Sequence, residues 1–149
     1  MTNGIKDIVQ WQRDAGLTAR DYSDTAEASF QIEEALENFT FEKEFTVYPE
    51  SPWKMSRIIV GASSGFEGTD VDRIDKACDA IVFAIGAMTK VGLNAQEINH
   101  ALVIVNDANK AKLGCAVDEV GKLMKPDNFP NPEPRLKALL AKSLKRRSE

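Results

Sequence analysis

The chain has 149 residues, 43% hydrophobic and 28% charged, which fits one globular domain over 1–149 and excludes a disordered or fibrous chain. Its formal net charge of -4 leaves the body without the positive field that would hold a nucleic-acid backbone. No stretch approaches about 18 uninterrupted apolar residues and the amino terminus lacks the apolar run of a signal peptide, so no membrane partner and a cytoplasmic location are expected.

In chain order, the first predicted helix covers about residues 4–15, where Ile5, Ile8, Val9 and Gln12 share a face and Gly16 supplies a stop. The second begins near Asp24, with Asp24 and Glu27 as a cap pair. Its stripe is Ala28, Ile32, Ala35, Leu36 and Phe39, and its end is near Phe45. Residues 46–68 collect prolines and glycines, the composition of a long connection with one short element around Trp53. A strand over residues 56–60 is left open.

Thr69 can cap the third helix, in which Ile74, Ala77, Cys78, Ile81, Ile85 and Met88 recur at spacings of three and four and which Gly92 closes. Asn94 with Glu97 caps the fourth, which carries Ile98, Ala101, Leu102 and Val105 and ends by Gly114. The turn over residues 91–95 is short enough to make these two helices antiparallel neighbours. Pro130, Pro132 and Pro134 force an extended path before a terminal helix of about residues 135–146. The expected fold class is all-α: a four-helix up-and-down bundle with a long connection between helices two and three and a C-terminal helix.

Acidic side chains fall on two of these helices. Glu33, Glu34 and Glu37 form E-E-x-x-E, with 34 and 37 on one face. Asp72, Asp75 and Asp79 make a second stripe: seven positions at 100° per residue return to within about 20° of the start, and Asp75 lies about 60° away. Like charges at these spacings repel, so something positive should sit between them, and a hard divalent cation held by oxygen ligands is the natural candidate. The absence of histidine and cysteine from the cluster argues against zinc. On the fourth helix the stripe Ile98, Leu102, Val105 continues to Asn109 and Lys112, an amide and an ammonium suited to phosphate oxygens.

Other features carry less. His100, the lone histidine, is read as a surface helix residue. GASSGFEG at residues 61–68 lacks the G-K-[ST] of a phosphate loop. Cys78 and Cys115, without C-x-x-C spacing, are read as buried free thiols. For Trp11, Trp53 and Phe66, packing outweighs base stacking. The basic run Lys142, Lys145, Arg146 and Arg147 is read as a solvated helix end.

E-E-x-x-E at residues 33–37, DVDRIDKACDAIVFAIGAMTKVGLN, VNDANKAKL and GKLMKPDNFPNPEPRL together resemble the MazG-like nucleoside triphosphate pyrophosphohydrolases, a superfamily that includes phosphoribosyl-ATP pyrophosphohydrolase. The likeness spans about residues 27–135. It implies Mg²⁺, with Mn²⁺ as a possible substitute, held by Glu34, Glu37, Asp72, Asp75 and Asp79. It also implies a catalytic role for Glu33 or Glu34, with Asn109 and Lys112 on the phosphates of a nucleoside triphosphate that is cut to the monophosphate and pyrophosphate. A homodimer or homotetramer is expected on the same ground. The family's second motif, E-x-x-D, is met as Asp72-x-x-Asp75 or, in the register set by AIVF, as Lys76-x-x-Asp79. The reading kept beside it is a non-catalytic helical regulatory or interaction protein with a degenerate acidic site.

Overall fold

A computed structural model describes residues 3–19, 23–36, 52–62, 65–118 and 122–148. The described residues are all-helical: α1 (Gly4–Asp14), a short 3₁₀ turn (Leu17–Ala19), α2 (Asp24–Leu36), α3 (Pro52–Gly61), α4 (Asp70–Lys90), α5 (Ala95–Lys110) and α6 (Glu133–Ser148). The only strand-like pairing among them is one isolated bridge, Val117 with Leu123. The chain divides into two compact units, one of Met1–Arg20 with Asp72–Glu149 and one of Asp21–Val71.

In the first unit α5 is the central helix. A capping box starts it: Asn94 Oδ1 accepts from the Glu97 amide while Glu97 Oε2 accepts from the Asn94 amide, which satisfies two donors that a helix start leaves open. Upstream, α4 ends in a Schellman turn, with the Gly92 amide on the Thr89 carbonyl and the Leu93 amide on the Met88 carbonyl. Gly92 adopts φ +105 there, a backbone conformation that favours glycine over any residue with a Cβ.

Helix α1 starts at Asn3, whose side chain accepts from the amides of Ile5 and Lys6. It lies on α5 through Gly4 and Trp11. A Cβ at Gly4 would stand 3.0 Å from Leu102 Cβ, and the Gly4 amide donates to Asn99 Oδ1 at 2.8 Å. Trp11 is buried and its Nε1 donates to the Asn109 carbonyl at 2.9 Å. Another face of α5 meets α6, where Ala101, Ile104 and Leu139 form a core flanked by Leu93 and Leu136. Ser143, buried, donates to the Gly92 carbonyl at 2.9 Å. Arg146 reaches both oxygens of Glu97, and Arg135 places two nitrogens on Asp107.

These links make the α5–α6 contact acid-sensitive. The Asn94 amide first, then Arg146 and Ser143, hold the Glu97 carboxyl below its ordinary value of 4.5. Lys110 first, then Arg135, lower Asp107 from 3.8. Groups that titrate lower when folded contribute stability in full above those ordinary values and lose it as pH falls through the folded values. The urea midpoint is therefore expected to drop below about pH 4.5, and less so in Glu97→Gln. Equal acid sensitivity in the variant would remove Glu97 from the account.

The second unit is a pair of helices, α2 on α3. Ser23 Oγ accepts from the Ala26 amide, so the cap is Ser23 rather than Asp24. Ser29 and Ser56 are fully buried, each donating to a carbonyl of its own helix at 2.7 and 2.8 Å, small side chains that suit close approach. Phe30 stacks on Trp53 with centroids 5.7 Å apart, and Arg57 lies over the same indole.

Several expectations need correction. The short element expected around Trp53 is a helix of 10 residues, Pro52–Gly61, and not a strand: the two breakers mark its ends rather than irregular chain. The expected end of helix two near Phe45, and Phe39 with it, lie outside the described residues. Helices α4 and α5 are not antiparallel neighbours; the chain bends by 110° between them, and within its unit α4 packs on no other helix among the described residues. Faces of α5 are already occupied by α1 and α6. Cys78 is exposed and Cys115 half-buried, both free. Val105 is exposed while Ile104 is buried, because α5 is packed from two sides rather than one.

Candidate functional site

The acidic residues are carried by regular helices, which fixes their spacing along each axis. Glu33, half-buried, and Glu34, exposed, lie near the end of α2 in the second unit. Glu37 lies outside the described residues. Asp72, Asp75 and Asp79 belong to the first unit and are all exposed on α4. Within α4 the three aspartates fall on one stripe by the helical period.

Asp75 and Asp79 are four residues apart, a rise of about 6 Å on one face. Neither carboxylate has a hydrogen bond or ion pair with the described residues. Such a pair can bracket one hard cation directly or through water. The carboxylate oxygens share this side of α4 with the free Cys78 thiol, about 60° round the helix from Asp75. The two carboxylates are hard oxygen donors of the kind that suit Mg²⁺. Among the described residues, no group of three or more histidine, cysteine, aspartate or glutamate side chains closes into a metal-holding cluster.

A second set of polar groups sits at the carboxyl end of α5. Asn109 is half-buried and its carbonyl carries the Trp11 indole. Lys112 is half-buried, with its ammonium 5.4 Å from the Phe129 ring centroid, and Lys125 stands 5.3 Å from the same ring. Segment 122–132 thus brings a second cation to the Lys112 end of α5, held by the ring's negative face. Two ammoniums about one aromatic can serve an anionic phosphate tail.

Two residues here escape the sequence reading. Lys125 comes from an irregular segment whose path no periodicity reveals. Asn106 is 2% exposed with neither amide atom hydrogen-bonded, an arrangement that costs about 1–3 kcal/mol. It shares the α1-facing side of α5 with Asn99, Leu102 and Asn109, and its signal was the run Asn106-x-x-Asn109-x-x-Lys112. No family model, curated protein or solved structure matches the chain.

Proposed function

We propose that the chain is a Mg²⁺-dependent hydrolase that cuts a nucleoside triphosphate into a monophosphate and pyrophosphate. The observation that supports it most is the pair Asp75 and Asp79, exposed on one helix face and without a partner among the described residues. Carboxylates left bare at this spacing are positioned for a cation rather than for packing. The MazG-like resemblance adds Glu34 and Glu37 as further ligands, and a four-helix bundle belongs to the same proposal.

When bound, Mg²⁺ would neutralise charge on the phosphates and lower the pKa of an attacking water. Glu33 or Glu34 takes a proton from that water as its oxygen bonds the phosphorus on one side of the oxygen that bridges the α- and β-phosphates. The bond from that phosphorus to the bridging oxygen breaks, and the other part, pyrophosphate or the monophosphate, leaves with the bonding pair. Asn109, Lys112 and Lys125 hold the phosphate tail, where their charge and donors oppose its repulsion.

The test is a screen of common and damaged ribo- and deoxyribonucleoside triphosphates with Mg²⁺, reading pyrophosphate release. Release from at least one of them, lost on chelation, is expected; its absence throughout favours the non-catalytic helical scaffold. That second reading draws on the lack of a closed three-acid cluster among the described residues. A finer result is expected from Lys112→Ala and Lys125→Ala. Each should weaken triphosphate binding by roughly tenfold or more, since hydrogen bonds to charged groups are worth about 1.5–3 kcal/mol, and leave Mg²⁺ affinity unchanged by calorimetry. Equal loss of both ligands would make the lysines structural.

A further inference from the structure

Among the described residues no helix of the first unit packs on α4, so within that unit its direction is set at the corner of residues 91–94, where the chain bends by 110°. Length magnifies any play there. Asp75 precedes Gly92 by 17 residues, about 25 Å of helix, so a change of about 10° in the bend carries its carboxylate about 4 Å. Mg²⁺ accepts oxygens only at about 2 Å and in near-octahedral geometry. A helix that presents ligands from such a corner needs the corner held.

One turn of α6 grips both sides of it. On the α4 side, the Gly92 and Leu93 amides close on the Thr89 and Met88 carbonyls, which ties the direction of α4 to the Gly92–Leu93 peptide. The carbonyl of that peptide accepts from Ser143 Oγ at 2.9 Å. A serine has one proton to give, and this contact is shorter than the 3.2 Å from Ser143 Oγ to Glu97 Oε2. On the α5 side, Glu97 closes the Asn94 cap and receives Arg146 at 3.0 Å on Oε2 and 3.3 Å on Oε1. Helix α6 is itself seated on α5 by Leu139 against Ala101 and Ile104. The Gly92 carbonyl is therefore referred to the α5–α6 core, and α4 cannot swing about the corner without straining the Ser143 bond.

We propose that Ser143 and Arg146 are positioning residues, which hold the α4–α5 corner from α6 and so fix the angle at which α4 presents Asp72, Asp75 and Asp79. What the aspartates then do rests on the catalytic reading; the clamp itself does not. The choice of serine supports it. Ser29 and Ser56, equally buried, spend their protons on carbonyls of their own helices, the default for a hydroxyl inside a helix. Ser143 instead crosses to another element, at the one carbonyl that leads into α4. Packing alone would be met by alanine there, since a buried hydroxyl costs stability unless it is bonded.

Double electron–electron resonance reads the corner directly. In a Cys78→Ser, Cys115→Ser background, spin labels on Ile74→Cys and His100→Cys, both exposed positions, report α4 against α5. Labels on His100→Cys and Lys142→Cys report α6 against α5. Labelled chains are diluted into unlabelled ones so that each reports on itself. Ser143→Ala, and more so Ser143→Ala with Arg146→Gln, should broaden the Ile74–His100 distribution by about 4 Å or more, the excursion of about 10° at the corner, and leave the His100–Lys142 distribution and the helical dichroism unchanged. An unbroadened Ile74–His100 distribution in the double variant would overturn the proposal, as would a His100–Lys142 distribution that broadens as much, since the hydroxyl would then serve only to seat α6. In the unlabelled chain, Ser143→Ala should raise the Mg²⁺ concentration for half-maximal pyrophosphate release about tenfold, the weight of one hydrogen bond in an equilibrium, with turnover at saturating Mg²⁺ kept. An unchanged Mg²⁺ requirement beside a loosened corner would remove the positioning role. A parent chain with no turnover sinks the catalytic reading alone, because the distances are read without it.

Discussion

Asp75→Asn is expected to lower Mg²⁺-dependent pyrophosphate release by about 100-fold or more while the helical dichroism stays unchanged, an effect of the size seen when one preorganised charge-stabilising group is removed. The stripe Asp72, Asp75, Asp79 spans seven residues, about 10 Å of helix, too far for three carboxylates to reach one ion directly. Two adjacent acids therefore serve one ion, or the stripe spans two ions bridged by phosphate. Asp75 is the member common to both arrangements. Asp72→Asn and Asp79→Asn should be milder, or rescued by higher Mg²⁺. All three residues are exposed, so their stability cost should stay within about 0.5 kcal/mol, and lost turnover will not be lost fold. Near-normal turnover in Asp75→Asn with loss in Asp79→Asn would instead place the second motif in the register through Lys76.

That helix could be drawn from sequence because its signals are local. Gly92 must adopt positive φ, Asn94 and Glu97 close on each other within one turn, and the three aspartates share a face by helical period alone. Signals that depend on context misled. Pro52 and Gly61 looked like loop composition and proved to be the two ends of α3. The stripe drawn through Ile98, Ala101, Leu102 and Val105 held at Ile98 and Ala101 but missed Ile104 and misplaced Val105, because α1 and α6 press on different sides of α5, burying Ile104 and leaving Val105 out. Whether the carboxylates of α2 and α4 serve one ion is a tertiary question that no local periodicity answers. Asn106 and Lys125 were missed for the same reason: burial without a partner, and a shared aromatic ring, exist only once the chain has folded.

Trp11→Ala is expected to cost about 3–5 kcal/mol, the range for emptying a buried aromatic site, against a total stability of roughly 5–15 kcal/mol for a domain. Trp11 is a buried anchor of α1, and Gly4 seven residues earlier is the other; Ile5 and Val9 between them are exposed. Removing the indole opens a cavity and also strips the Asn109 carbonyl of its donor, so packing and hydrogen bonding fail together. Trp11→Phe keeps most of the packing and should cost about 1 kcal/mol for the lost bond, plus whatever the smaller ring leaves unfilled. Trp53 is the only other tryptophan, so a Trp53→Phe background gives an emission that follows α1 alone during urea unfolding. Because Asn109 occupies the last turn of α5, just before Lys112, loosening α1 should also weaken triphosphate binding without touching a phosphate ligand. A stability loss below about 1 kcal/mol in Trp11→Ala would show that α1 is not held on α5 by this residue, and the docking of the first helix would have to be assigned to Gly4 and its bond to Asn99.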